Sequence, residues 1–77
     1  LDCLDPSAFP GTGTPEAGGV TFTELLAAIE TVCNANIVGA DVNELSPMLD
    51  TSGASTALAC KVVRELMLAI LKHKTIK

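Results

Sequence analysis

The sequence predicts an α/β fold in which this chain is the C-terminal part of a larger domain with a parallel sheet. Three features support this: a capped amphipathic helix after residue 20, a run at residues 37–42 that is apolar on both faces, and a second, longer amphipathic helix. A strand covered on both faces is typical of a parallel sheet between helical layers. The chain offers that strand only a stub at residues 1–4 as a neighbour, so we expect the remaining strands to lie outside this segment.

The composition of the chain excludes several classes of function. The 77 residues are 48% hydrophobic and 18% charged, which fits a globular segment. A net charge of −4 and a pI of about 4.6 argue against nucleic acid as a partner. No apolar run approaches the roughly 20 residues of a membrane span, so no membrane partner is expected. The chain begins with Leu1 rather than Met, and we expect that residues preceding it have been lost.

The three cysteines predict neither a disulfide framework nor a zinc site. Cys3, Cys33 and Cys60 lie far apart and lack the paired spacing of zinc ligands. We expect reduced, mostly buried thiols. Together with the lack of a visible targeting signal, they predict a cytoplasmic location, with a mitochondrial one as the alternative.

Residues 1–20 are predicted to form a long irregular loop. Three of the four prolines and four of the six glycines fall in this stretch and favour turns. A loop of this length without secondary structure is uncommon unless it has a function. Its glycine-rich run at residues 10–15 matches neither a dinucleotide-binding fingerprint nor a phosphate-binding loop.

Residues 21–47 are predicted to form a helix and then a strand. Thr21 and Glu24 have the T-x-x-E spacing of a capping box, with Thr21 as the N-cap. One apolar stripe is expected along the helix, formed by Leu25, Ile29, Val32 and Cys33. The strand follows at residues 37–42, and polar residues gather at its carboxyl end: Asp41, Asn43 and Glu44.

Residues 48–77 are predicted to form a turn and a terminal helix. Residues 50–53 have the composition of a turn, and Ser55 is a suitable N-cap. Apolar residues then recur every four positions: Leu58, Val62, Leu66 and Ile70. The basic residues at the end of this helix suit the negative end of its dipole.

Glu44 is the candidate for chemistry on the predicted strand. Ligands of open α/β sheets bind beyond the carboxyl ends of the strands. Taken alone, however, a glutamate at a strand end is more often a solvated side chain. Asp41 is expected to be a hydrogen-bonded structural carboxylate. His73 is expected to be solvated rather than a metal ligand.

Three blocks of the sequence resemble the ureohydrolases, the family of arginases and agmatinases. The first block carries the family's third signature from its apolar position onward: Leu1, Asp2, Pro6, Pro10, Gly11 and Gly19. Residues 38–47 are similar to the family's strand that ends in Glu-Val-Ser/Asn-Pro, and residues 55–66 to its terminal helix. Residues 12–16 look more like agmatinases than like arginases.

The resemblance implies a three-layer α/β/α fold that hydrolyses guanidinium compounds to urea and an amine with two manganese ions. Asp2 matches a metal ligand, Glu44 matches the glutamate that grips the guanidinium, and Thr14 lies where a pocket-lining hydroxyl is found. Carboxylates suit manganese and pair with a guanidinium through two hydrogen bonds, and two metal ions activate a bridging water. The family's bridging aspartate before Asp2 and its upstream histidine-bearing motifs are absent from this chain, and no catalytic residue is assigned to it.

The resemblance also implies that residues 1–77 are the C-terminal segment of one ureohydrolase domain, with residues 1–20 as an active-site loop. The parent protein is expected to act on an agmatine-like substrate, with arginase or guanidinobutyrase activity as alternatives, and to form trimers or hexamers. The isolated chain is expected to be inactive, because one aspartate cannot hold two divalent ions.

A different class of function stays open. The chain is alternatively a non-catalytic fragment or assembly element that is held by hydrophobic helix packing. Without the resemblance, Asp2 is an ordinary turn or strand-end aspartate. Asp5 precedes Pro6 and is expected to be structural, because Asp-Pro initiates turns.

Overall fold

A computed structural model describes the backbone of residues 1–76 and the side chains of residues 1–74. Helix α1 spans Phe22–Val32, a one-turn 3-10 helix spans Pro47–Leu49, and helix α2 spans Ala54–Ile76. The two α-helices pack against each other. Neither of them is long and apolar enough to cross a membrane within the part of the chain that is described.

The predicted capping box begins α1. The Thr21 hydroxyl accepts a hydrogen bond from the Glu24 N–H at 3.1 Å, and the Glu24 carboxylate accepts one from the Thr21 N–H at 2.9 Å. Two N–H groups that lack partners within the helix are thereby satisfied. The helix ends at Val32, and the N–H of Cys33 donates to the Ile29 carbonyl at 2.9 Å. The prediction of this helix and its N-cap is confirmed.

The apolar rows of the two helices form the inner side of the helix pair. On α2, Val62 is buried, and Leu58, Leu66 and Ile70 are half-buried. On α1, Leu25 and Ile29 are half-buried and Cys33 is buried directly after the helix. The prediction was wrong for Val32, which is 60% exposed because its side of α1 has no described neighbour to cover it.

The predicted strand at residues 37–42 is absent: residues 36–46 have no regular structure. The one β-contact in the described chain is an isolated parallel bridge between Leu4 and Val20, where the Asp5 N–H donates to the Val20 carbonyl at 2.9 Å. A strand requires a neighbouring backbone for its hydrogen bonds. The described residues supply no second strand beside residues 37–42. That segment therefore lacks the inter-strand hydrogen bonds that define a β-strand.

Helix α2 begins at Ala54, two residues earlier than an N-cap at Ser55 would give, and Ser55 is not its N-cap. Asp50 does the capping instead: one of its carboxylate oxygens accepts hydrogen bonds from the Ser55 N–H at 2.9 Å and from the Ser55 hydroxyl at 2.6 Å. Its other oxygen accepts from the N–H and the hydroxyl of Ser52. The prediction was wrong because Ser55 lies inside the helix, where its hydroxyl accepts from the Gly11 N–H and donates to Asp50.

The buried core is small. Phe9 and Leu4 from the loop are 0% and 2% exposed, and they share the core with Cys33, Ala59 and Val62. Large apolar side chains also remain uncovered, among them Val38 at 91% exposure and Met48 at 83%. A chain of this size rarely leaves such side chains exposed when it folds as a complete domain. This surface is therefore suited to contact with further structure.

Candidate functional site

One pocket brings together two of the three residues that the sequence singled out. Asp2 and Glu44 both line a pocket of about 330 Å³ beside the helix pair. Its apolar wall consists of side chains from both helices: Leu25, Ile29, Val62 and Leu66. The pocket thus combines carboxylates with a hydrophobic wall.

A hydrogen bond between distant segments places Asp2 beside the segment that carries Glu44. The terminal amine of Leu1 donates to the Asn43 carbonyl at 3.2 Å, across 42 positions of the sequence. Asp2 and Cys3 follow Leu1 along this edge and reach the pocket. The segments that carry Asp2 and Glu44 therefore meet at one pocket.

Glu44 has an unusual backbone conformation. Its φ is +82°, in the left-handed region that residues other than glycine rarely adopt. Such a conformation costs on the order of 1–2 kcal/mol and persists where the surrounding structure determines it. The carbonyl of the preceding Asn43 accepts from Leu1, and the N–H of Ser46 donates to the Gly11 carbonyl at 2.7 Å. Glu44 is thus held between two anchored positions.

The charge of the pocket favours a cation. Asp41 joins Asp2 and Glu44 in the lining, and among the described residues the one positive group there is the terminal amine of Leu1, with no Lys, Arg or His side chain. The Asn43 amide donates to the Asp41 carboxylate at 3.0 Å, which agrees with the hydrogen-bonded role expected of Asp41. Carboxylates grouped along one wall create a negative potential that attracts positively charged ligands.

Thr14 is not part of this pocket. Its side chain is exposed and does not line the Asp2–Glu44 pocket, so its role in binding stays a prediction. Thr12, two residues earlier, is only 2% exposed, and its hydroxyl oxygen has no hydrogen-bond partner in the described chain. The sequence analysis missed Thr12, because nothing in the Gly-Thr-Gly-Thr run indicates which hydroxyl is buried.

Asp5 has the structural role that was expected of it. It accepts hydrogen bonds from the hydroxyl and the N–H of Ser7 and, at 2.9 Å, from the N–H of Gly18, which closes the loop between them. These donors, the Ser7 hydroxyl foremost, lower the pKa of Asp5 from 3.8 to about 2. A Cβ atom at Gly19 would lie 2.6 Å from the backbone of Asp5, so this signature glycine permits the close approach.

The carboxylates of the pocket do not form a complete metal site by themselves. Within the described residues, no group of three or more His, Cys, Asp or Glu side chains could hold a metal ion. Asp2 is exposed and fits the donor chemistry of a manganese ligand, but these residues provide too few donors for a manganese pair. A metal at Asp2 therefore requires ligands from outside the described residues.

His73 lies away from this pocket. It is half-buried, rather than solvated as expected, and it lines a second pocket of about 370 Å³ near the C-terminal ends of the two helices. The cysteines also differ from expectation: all three are free, but Cys3 and Cys60 are exposed and only Cys33 is buried. Cys3 lies on the loop and Cys60 on the outer side of α2, and no described residue covers either of them.

The chain is similar to curated hydrolases along nearly its whole length. Residues 1–69 match the model of the arginase family. The chain is 49% identical over 74 residues to the agmatinase of Bacillus cereus, which covers 94% of this chain and 26% of that protein. It is 41% identical over 76 residues to the mitochondrial guanidino acid hydrolase of Rattus norvegicus, which covers 99% of this chain and 22% of that protein.

A solved structure extends the similarity to the fold. The proclavaminate amidino hydrolase of Streptomyces clavuligerus matches the chain with a TM-score of 0.87 and 39% identity, over 94% of this chain and 24% of that one. The predicted arginase-like α/β fold class is therefore confirmed. The chain spans about a quarter of the length of the relatives that it matches. With the family model covering residues 1–69 and the same fold in a solved relative, the chain belongs to the arginase family.

Proposed function

We propose that the protein of which this chain is a part hydrolyses a guanidino compound to urea and an amine. The observation that carries the proposal is the acidic pocket that is lined by both Asp2 and Glu44 together with apolar side chains of the two helices. The names of two relatives, agmatinase and guanidino acid hydrolase, also support a guanidino compound as the substrate. Because the chain spans about a quarter of those relatives, the activity is proposed for the whole protein.

In this proposal Glu44 binds the guanidinium group of the substrate. A carboxylate matches a guanidinium through two parallel hydrogen bonds, and both groups are charged, which strengthens these bonds. The apolar wall from α1 and α2 suits the aliphatic stem of such a substrate. Glu44 therefore orients the substrate. Thr14 is proposed to add a hydroxyl contact to the substrate when the loop at residues 1–20 packs against the rest of the whole protein.

Manganese is proposed as the cofactor of the whole protein, with Asp2 as one of its ligands. Hard oxygen donors favour manganese over softer metals. The described residues lack the remaining ligands, so the proposal assigns them to other parts of the protein.

Agmatine is the substrate that the pocket favours within this class. Agmatine carries only an ammonium group at the end opposite the guanidinium, whereas arginine carries a carboxylate beside its ammonium there and guanidinobutyrate carries a carboxylate alone. The charged side chains in the lining are all acidic, so they attract the ammonium and repel a carboxylate. Arginase or guanidinobutyrase activity is the alternative if loops outside this chain supply a basic partner.

A non-catalytic assembly role is the second candidate. A second apolar row on α2 is exposed: Val63, Met67 and Leu71 are 40%, 59% and 54% accessible. Such a row supports association with other chains or with the rest of the domain. A trimer or hexamer of the whole protein is proposed on the same grounds, and sedimentation analysis would distinguish these states from a monomer.

Urea release tests the proposed reaction. We expect the full-length protein with added manganese to release urea from agmatine faster than from arginine or guanidinobutyrate. Glu44→Gln should lower kcat/KM by roughly 100-fold, because it removes charge-assisted hydrogen bonds to the guanidinium. A colorimetric urea assay with each substrate measures both effects.

The matched control is Glu30→Gln. Glu30 is an exposed carboxylate of α1 that lines the second pocket instead of the Asp2–Glu44 pocket. Its substitution should leave kcat/KM within about twofold of the unsubstituted protein, since surface changes away from a site have small effects. Equal losses in the two variants would contradict the role of Glu44, and no urea from any of the three substrates would contradict the reaction.

A further inference from the structure

Ser55 connects the irregular loop at residues 1–20, here termed the substrate loop, to the beginning of α2. It is 0% exposed, and its hydroxyl accepts a hydrogen bond from the N–H of Gly11 at 2.9 Å, across 44 positions of the sequence. The same hydroxyl donates to the Asp50 carboxylate at 2.6 Å, which fixes its orientation. The Gly11 N–H is buried too, so Ser55 is the acceptor that keeps it satisfied.

Gly11 extends this connection to the segment that carries Glu44. Its carbonyl accepts a hydrogen bond from the N–H of Ser46 at 2.7 Å. Ser46 lies two residues after Glu44, and Thr14 lies three residues after Gly11. The two hydrogen bonds of Gly11 will be called the Gly11 bridge: one from its N–H to the Ser55 hydroxyl, and one from the Ser46 N–H to its carbonyl.

The packing around Gly11 leaves the bridge little freedom. A Cβ atom at Gly11 would lie 2.7 Å from the Ser55 Cβ and 3.1 Å from the Asp50 Cβ. Both distances are shorter than ordinary van der Waals contact, so the loop rests directly on the first turn of α2. A shift of Ser55 would therefore move Gly11, and with it both segments that Gly11 joins.

The backbone of Glu44 depends on such an anchor. A left-handed φ at a residue other than glycine persists only where its surroundings determine it. The hydrogen bond from Ser46 to Gly11 is the nearest anchor after Glu44 along the chain. Loss of the bridge would let Glu44 relax toward an ordinary conformation and turn its carboxylate away from the pocket.

We propose that Ser55 is a positioning residue for substrate binding: through the Gly11 bridge it holds the substrate loop against the Glu44 segment. The inference rests on the proposed function of Glu44, which it deepens. Ser55 does not line the pocket, so it acts through Gly11 and Ser46 rather than on the substrate. A role confined to the start of α2 would instead change stability without changing substrate binding.

The test compares two serines that share Asp50 as a partner. Ser55→Ala removes the acceptor of the Gly11 N–H, whereas Ser52→Ala removes another hydroxyl that donates to Asp50 and leaves the bridge intact. In the full-length protein, Ser55→Ala should raise KM for agmatine about tenfold with kcat changed less than about threefold. Ser52→Ala should leave KM within about twofold.

Hydrogen exchange gives a readout that does not depend on activity. In Ser55→Ala, the amides of Gly11 and Ser46 should both exchange at least about tenfold faster, since opening one bond of the bridge frees the other. In Ser52→Ala both amides should keep their protection. Gly11→Ala serves as a second variant, because the added methyl displaces the loop while the Ser55 hydroxyl stays, and it should raise KM in the same way.

The outcomes separate the two proposals. A folded Ser55→Ala protein with unchanged KM and a protected Ser46 amide would overturn the positioning role. If Ser55→Ala does not fold, Gly11→Ala decides, and unchanged KM and exchange in that variant would likewise overturn it. Absence of urea release from the unsubstituted protein would overturn the proposed function, while the exchange measurements would still show whether Ser55 controls the Ser46 amide.

Discussion

Asp5 and Asp50 act as local clamps, each closing a turn with its carboxylate. Asp5 joins Ser7 and Gly18, and Asp50 joins Ser52 and Ser55. The Ser52 hydroxyl is the largest cause that lowers the pKa of Asp50, followed by Ser55, and that pKa falls to about 2. Both carboxylates are thus stabilised in their charged form in the folded chain.

The pKa shifts of these two residues predict loss of stability in acid. The pKa of each carboxyl is about 2 in the folded chain, below its ordinary value of 3.8. The stabilisation is therefore fully present above about pH 3.8 and is lost as the pH falls toward about 2. We expect the Tm of the protein to fall between about pH 4 and pH 2 for this reason. Asp5→Asn should weaken that dependence, measured by circular dichroism at several pH values.

Glu16→Gln is the matched control for the acid experiment. Glu16 is an exposed carboxylate on the same loop. Its variant should keep the pH dependence of the unsubstituted protein, because Glu16 takes no part in the hydrogen bonds by which Asp5 closes the loop. An identical pH dependence for Asp5→Asn would show that Asp5 does not clamp the loop.

At the scale of elements, α1 shows how a helix is specified by its own residues. Its capping box joins residues that are three apart, so the pattern predicts it without knowledge of the remaining fold. The segment at 37–42 shows the opposite case: its apolar pattern suits a strand, but a ladder requires a second backbone.

Loss of the N-cap hydroxyl should destabilise α1. Thr21→Ala removes the acceptor of the Glu24 N–H and should cost about 1 kcal/mol. For a domain of this size that corresponds to a Tm decrease of roughly 4–8 °C. Thermal unfolding measures this decrease when it is followed by far-ultraviolet circular dichroism, which reports the helix content.

Thr23→Ala tests whether the effect belongs to the cap. Thr23 is the exposed second residue of α1, and alanine has the higher helix propensity there. This variant should be neutral or slightly more stable. A decrease in Tm as large as that of Thr21→Ala would mean that threonine side chains support α1 by some means other than the capping box.

The whole molecule shows the features of a piece of a larger domain. Its core is small, the second apolar row of α2 is exposed (Val63, Met67 and Leu71), and its acidic pocket lacks a complete set of metal ligands among the described residues. Relatives of about four times its length share its fold over this segment. Asp2 and Glu44 thus share one pocket within this segment alone.

The isolated 77-residue chain should release no urea from agmatine, arginine or guanidinobutyrate. Asp2 alone cannot hold two divalent ions, and a metal site seldom forms without its partner ligands. Isothermal titration calorimetry with manganese should give no binding tighter than the millimolar range. Turnover by the isolated chain, measured with manganese present, would contradict this expectation.

The sequence by itself determined the family, the capping box of α1, the apolar row of α2 and the two carboxylates that share a pocket. These features depend on residue identity and short spacing, which a sequence displays directly. The left-handed backbone of Glu44, the buried hydroxyl of Thr12 and the Gly11 bridge were decided only by the tertiary structure. They join atoms that lie up to 44 positions apart, and no local pattern specifies which distant groups will meet.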